Sequence, residues 1–392
     1  MDGNSRVGKI KLREYAVGDE PQIIGLLKDN WTYLRRDDAL SIWRWLYSGS
    51  AHGRALIFLG THDEKVIGHY AMFPLTMQFG TEVVKGGKAE GSAVHPDYRG
   101  DIAEKFHLGV KSFRVLVELV QLLFENAQRN GTSLIYAFPN DAALKPQIRA
   151  GYSYHPIVVH RRVLPIDSAK TVELTYSKVP QGLLRRVVTI AGRARCSLAR
   201  SNRRRAAEGE APGFKVRRMT TDHLDSRYED FLQKYVKENR QITTNRDPKY
   251  VRWRFLDNPV IQHEVVVAER GGKITAMLVT SAVESRAGRY ADIVDLLALK
   301  GYESDLADLI DEVVGRLRRE GYFCVRTWLS DCEQAHKYLR ILRRAGFINL
   351  PTGVKKARLH LIYRMLDEKL DKGFAADPRN WYITMAFTEG TS

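Results

Sequence analysis

Two short stretches of this chain recur roughly 200 residues downstream in the same order. Trp43-Arg44-Trp45-Leu46 returns as Trp253-Arg254-Phe255-Leu256, and Ile148-Arg149-Ala150-Gly151-Tyr152 returns as Arg343-Arg344-Ala345-Gly346-Phe347. Each Trp-Arg element stands ahead of a strand signal and a tight turn, with Arg270-Gly271-Gly272-Lys273 marking that turn in the second copy. An internal repeat of this kind restricts the chain to two copies of one supersecondary arrangement. At 392 residues each copy is large enough to bury its own core.

Within the first copy, strand and helix periods alternate. Residues 10–15 read as a strand. Ile23, Ile24, Leu26, Leu27 and Trp31 then recur at helical spacing, and Ile42 to Tyr47 belong to a second helix. Residues 55–94 predict a meander of three strands, and Leu116, Val117, Val120, Leu123, Phe124 and Ala127 mark one face of a long helix. A strand at 134–138, a helix ending at Gly151 and a strand at 154–164 follow. The expected class is α/β: two tandem domains, each a mixed, mostly antiparallel sheet flanked by helices. The boundaries expected are 1–165, a basic linker at 166–212, and 213–392.

Composition is that of a folded chain, with 44% hydrophobic and 28% charged residues. The net charge of +16 is concentrated: residues 178–205 hold nine basic side chains and no acid. That run is expected to be a solvated linker, or else a contact for an anionic membrane surface or a nucleic acid. Three cysteines in no CxxC pair speak against a disulfide framework and a zinc-thiolate site, and point to a reducing, cytoplasmic setting. The polar, charged first fifteen residues and the lack of any eighteen-residue apolar window predict neither signal peptide nor membrane span.

Chemistry concentrates after the meander. Glu90-Gly91-Ser92-Ala93-Val94-His95-Pro96-Asp97-Tyr98-Arg99-Gly100 leads through residues 101–108 to Gly109-Val110-Lys111-Ser112 and the long helix. A glycine-bearing basic loop before a helix N-terminus favours an anion such as a pyrophosphate. For proton transfer the first choice is Glu90, expected on the same strand face as Val94, and the second is His69 on the preceding strand. In the second half, Asp292 and Asp295 are candidate contacts for an amine. The tryptophan stripes are expected in the core.

Val94-His95-Pro96-Asp97-Tyr98-Arg99-Gly100, the long amphipathic helix, Phe138-Pro139-Asn140 and Ala150-Gly151-Tyr152 together resemble the acyl-CoA-binding core of the GNAT superfamily of N-acyltransferases. The resemblance is to a tandem-GNAT group associated with surface-polysaccharide or secondary-metabolite pathways. It implies acetyl-CoA or another acyl-CoA as co-substrate, no metal, and transfer to a small amine such as an amino sugar. Ala93, Val94, Arg99, Gly100, Gly109, Val110, Lys111, Ser112 and Asn140 would hold the CoA. Two features depart from the pattern: residues 101–108 lengthen the loop, and Gln147 stands where the family has tyrosine. With Gln147 unable to serve as general acid, either another acid, Tyr152 or bulk water, protonates the thiolate, or catalysis is weak or absent; the second half, lacking the Arg-Gly loop and with Ala335 opposite Asn140, is expected not to hold CoA. The alternatives are a Fem-type aminoacyl-tRNA-dependent transferase and a non-catalytic CoA-binding scaffold.

Overall fold

A computed structural model describes residues 10–98, 113–175, 214–349 and 358–387. The chain divides into two compact units. Unit 1 comprises Met1–Met77, Val83–Pro156 and Leu359–Ala376, and unit 2 comprises Gln78–Glu82, Ile157–Arg358 and Asp377–Ser392. No helix among the described residues is long and apolar enough to cross a membrane.

Unit 1 begins with β1 (Lys11–Glu14), α1 (Glu20–Leu27) and α2 (Ala39–Trp43), then β2 (Leu56–His62), β3 (Lys65–Gly80) and β4 (Glu82–Val94). After α3 (Phe113–Arg129) come β5 (Leu134–Ala137), α4 (Asp141–Arg149) and β6 (Ser153–Pro165). The sheet runs β1-β2-β3-β4-β5 and closes on a late strand, Arg358–Met365. β1 and β2 pair antiparallel, as do β2 and β3, whereas β4 and β5 are parallel. The late strand lies antiparallel to β5, Ile362 opposite Ala137 and Met365 opposite Leu134. Leu116, Leu119, Val120, Leu123, Phe124 and Ala127 form the buried stripe of α3, recurring every three or four residues as an amphipathic helix requires.

Unit 2 repeats the plan. α5 (Ser168–Thr175), β7 (Phe214–Arg218), α6 (Ser226–Glu238), β8 (Gln241–Thr244) and α7 (Pro248–Val251) lead to the meander β9 (His263–Arg270), β10 (Lys273–Ser285) and β11 (Gly288–Ala298). Next are α8 (Glu303–Arg319), β12 (Cys324–Ser330), α9 (Glu333–Arg344) and β13 (Ile348–Asn349); the late strand is β14, and α10 is Lys372–Ala376. The sheet order is β7-β9-β10-β11-β12-β6. β9 to β11 are antiparallel, β11 and β12 parallel, and β12 antiparallel to β6.

Each unit therefore holds a mixed, mostly antiparallel sheet with helices, and the two show the same succession of pairings. Each also takes its last strand from the other half of the sequence: β14 completes unit 1 and β6 completes unit 2. The sequence echoes mark equivalent structures. α2 and α7 both run into a widened turn in which an N–H reaches the carbonyl five residues back, Gly49 to Arg44 at 2.9 Å and Asp257 to Arg252 at 2.8 Å. Trp43 and Trp253 are buried there, as the core reading requires. Gly151 and Gly346 follow α4 and α9 with φ of +113° and +92°, a conformation that a side chain would strain.

The helix starts revise one alignment. Asn140 caps α4, its side-chain oxygen accepting the Ala143 N–H at 3.0 Å, and Cys332 caps α9, its Sγ accepting the Ala335 N–H at 3.5 Å. The counterpart of Asn140 is therefore Cys332 and not Ala335. Counting back from the shared glycine fails because α9, at 12 residues, is nearly one turn longer than α4, at 9.

Candidate functional site

The parallel ladder between β4 and β5 joins Gly86, Gly87 and Lys88 to Leu134, Ile135 and Tyr136, while β4 runs on to Val94 and β5 stops at Ala137. The ladder thus uses only three residues in the middle of β4, and β4 from Ala89 to Val94 lies past it. Gly91 sits there at φ +69°. A Cβ on it would come within 2.7 Å of both His69 Cε1 and the Tyr47 hydroxyl, so glycine is required twice, by conformation and by space.

Gly91 also corrects the expected placement of Glu90. Alternation puts Lys88 and Glu90 on one face of β4, and Lys88 lies 5.6 Å from the centre of the Phe73 ring, on the His69 side of β3. Ala89 belongs to the opposite face, packed with Tyr70, Met72, Phe124 and Tyr152, and Val94 joins that same cluster. Glu90 and Val94 therefore face opposite ways, because the left-handed glycine between them breaks the two-residue period.

One face thus carries the proton-transfer candidates. Lys88 donates to Glu90 Oε2 at 2.6 Å, and both side chains are almost fully buried. His69 is fully buried, its ring 5.8 Å from that of Tyr47 and perpendicular to it. Its Nδ1–H donates to the Gly91 carbonyl at 2.6 Å, leaving Nε2 as a lone pair with no hydrogen-bond partner among the described residues. Burial pushes the His69 pKa down to about 4, the Gly91 hydrogen bond opposing, so the ring is neutral at physiological pH. Ser92 Oγ, one residue past Gly91, is likewise buried and without a partner among the described residues. Native interiors rarely leave such atoms unpaired.

The other face holds a closed network. The Tyr152 hydroxyl, 2.8 Å from that of Tyr70, passes its proton toward it, and Tyr70 in turn donates to Gln147 Oε1 at 3.0 Å. All three are buried, with the Tyr152 ring edge-on to Phe124 at 4.8 Å. Burial pushes both phenols up, and the Glu90 charge adds to the effect at Tyr70.

Among the residues expected from sequence, Glu90, His69, Ala93 and Val94 lie along β3 and β4 around Gly91, Asn140 caps α4, and Tyr152 lies across the sheet from Glu90. Arg99, Gly100, Gly109, Val110, Lys111 and Ser112 fall outside the described residues, as does most of the basic linker. Sequence reasoning missed Lys88, Tyr70 and Ser92. Lys88 was findable: a lysine two residues from a carboxylate, between Gly87 and Ala89, shares a strand face with it.

Unit 2 shows the same junction in a closed form. β11 and β12 share only Ala291 with Val325 and Asp292 with Arg326. Beyond that ladder, the unit's own final segment sits across both strands. The Tyr382 hydroxyl donates to the Leu296 carbonyl at 2.7 Å, Thr384 to Asp295 at 3.0 Å, and the Ser330 N–H to the Ile383 carbonyl at 2.9 Å. The candidate amine contacts are committed as well. Arg326 holds both oxygens of Asp292 at 2.8 Å, and buried Arg246 holds those of Asp295 at 2.9 and 3.1 Å.

Residues 11–154 match the family model described as an acetyltransferase (GNAT) domain. No curated protein matches the chain in sequence. Among solved structures, a GCN5-related N-acetyltransferase from Anabaena variabilis is similar over 92% of this chain and 73% of its own, with a TM-score of 0.60 at 12% identity. An Enterococcus faecalis protein described as a probable N-acyltransferase is similar over 91% and 72%, with 0.58 at 10%. The Saccharomyces cerevisiae N-myristoyltransferase, solved with myristoyl-CoA, covers 90% and 82%, with 0.51 at 12%. At such identities the likeness is one of fold, and it extends through both units.

Proposed function

We propose that unit 1, whose residues 11–154 match the acetyltransferase (GNAT) domain model, transfers an acetyl or other short acyl group from acyl-CoA to the amine of a small molecule. The observation that carries this reading is the contrast between the two strand junctions. In unit 2 the tail closes the junction with its own hydrogen bonds; in unit 1 the same place is flanked by the unpaired His69 Nε2 and Ser92 Oγ. An acyl-CoA arm carries amide groups that can line up along β4 past its ladder, with Ala93 and Val94 nearest the acyl end. Asn140 and the segment from Arg99 to Ser112 are proposed, on sequence, as the contacts nearer the phosphates.

Direct attack by the amine on the thioester carbonyl requires the nitrogen to lose a proton. Glu90 takes that proton, directly or through a water, while Lys88 balances the buried carboxylate. His69, neutral and with a fixed tautomer, is too weak a base for the step and instead accepts a hydrogen bond from the amine or its water. Tyr152 and Tyr70 hold their protons throughout the neutral range and brace Gln147, so the departing thiolate is protonated by water.

Titration calorimetry with acetyl-CoA, followed by thiol release over a panel of amines, tests the reading. Binding with amine-dependent release is expected, and Glu90→Gln should lower kcat by roughly 10² to 10⁴-fold with CoA affinity retained. No acetyl-CoA binding would overturn it. Binding without release for any amine would leave a CoA-binding scaffold.

A further inference from the structure

Unit 2 contains a cluster that the acyl-transfer reading does not use. His160 lies on β6, Asp331 directly before the cap of α9, and His336 in the first turns of α9. His160 Nε2 is 3.1 Å and His336 Nε2 2.6 Å from the same Asp331 oxygen, Oδ1, and the three atoms all lie within 4.8 Å of one another. We propose that these three side chains form a binding site for a zinc-class divalent transition-metal ion.

The donor set suits such an ion. Two imidazole nitrogens and one carboxylate oxygen are a three-ligand set of borderline character, leaving a fourth position for water. For bonds near 2.05 Å at tetrahedral angles, ligand atoms stand roughly 3.3 Å apart. His160 is already near that distance from Asp331, and His336 needs to withdraw by about 0.7 Å. The ligands are partly open to solvent, which supplies an entry path. Without metal, both imidazoles must present Nε2–H to one carboxylate oxygen; with metal, each turns a lone pair inward and carries its proton on Nδ1.

The scaffold is rigid where the ligands attach. His160 pairs with Leu329 in the β6–β12 ladder, and the Asp331 N–H donates to the Val158 carbonyl at 2.8 Å. Unit 1 provides an internal comparison: His360 on its exchanged strand contacts Asp141 at 2.7 Å, but its other nitrogen is taken by the Tyr154 hydroxyl at 3.0 Å. Among the described residues the His160 cluster is the one grouping of three such ligands. A metal there would staple β6, which enters unit 2 from the first half of the chain, to α9.

The test uses full-length, untagged protein stripped with chelator. Zn²⁺ competition against a chromophoric chelator should give one tight equivalent, Co²⁺ should give visible ligand-field absorption, and Zn²⁺ should raise the melting temperature. His336→Ala should weaken Zn²⁺ by more than about 100-fold, beyond what the loss of an outer-shell partner costs, and abolish the Co²⁺ spectrum. Its metal-free melting should match the parent. Should that variant fold poorly, diethyl pyrocarbonate labelling of the parent decides: Zn²⁺ must protect His160 and His336 while leaving His360 reactive. The absence of a saturable equivalent, binding unchanged in His336→Ala, or no protection of the two histidines would each overturn the site.

Discussion

Burial of His69 sets a measurable price on acidification. Its pKa is about 4 in the folded protein against a reference of 6.5, so between those values the unfolded chain holds a proton that the native state excludes. Stability therefore rises with pH across that window, is level above it, and falls on acidification. The full difference, about 2.5 pH units at 1.36 kcal/mol each, amounts to about 3 kcal/mol, of which about 2 kcal/mol is already lost by pH 5. For a unit of about 170 residues this is a drop of roughly 4 to 8 °C in melting temperature between pH 7 and pH 5. The perturbation is His69→Gln, which offers an N–H for the Gly91 carbonyl but cannot titrate. Melting followed by calorimetry at pH 7, 6 and 5 on parent and variant isolates the effect, because groups elsewhere, including buried His263 with its pKa near 3 in unit 2, are common to both. The unit 1 transition of the variant should lose that much less on acidification. Parallel slopes would refute the argument that His69 is held neutral by burial.

Tyr152→Phe removes the hydroxyl that donates to Tyr70 and should cost about 1 kcal/mol in denaturant unfolding; kcat should change less than about 3-fold, since a general acid would show a loss of at least 10². Asp295→Ala leaves Arg246 buried and unpaired and should destabilise unit 2 by about 3 to 5 kcal/mol in urea titrations; an unchanged midpoint would contradict the structural assignment of that carboxylate. Expressed separately, residues 1–175 and 213–392 should each aggregate and regain solubility on co-expression, because each lacks the last strand of a sheet; two soluble monomers would refute the exchange.

The repeated Trp-Arg turns and paired glycines were legible because local conformation demands those residue types: a large ring to anchor a widened turn, and no Cβ at a left-handed helix exit. Strand β6 was equally legible as a strand, from its alternation. Its partner was not, because a two-residue period states which face is buried and nothing about which edge is paired. The orientation of Glu90 was misread for a related reason, since alternation holds only until a glycine such as Gly91 resets it. Asn140 was aligned with the wrong residue because repeat copies can differ by one helical turn. The His160 cluster joins residues 171 and 176 positions apart, and no short motif announces it.

The reciprocal placement of β6 and β14 bears on how the chain is made. A ribosome delivers β5 long before β14, and at about 5 to 20 residues per second the 228 residues between Ala137 and Met365 take on the order of 10 to 50 s. During that interval the nascent sheet of unit 1 presents the unpaired edge of β5, while β6, synthesised almost at once, waits for β12. Maturation is thus tied to the late arrival of β14, and a product stalled or terminated before it would be an open-edged template for chaperones or for other nascent copies of itself.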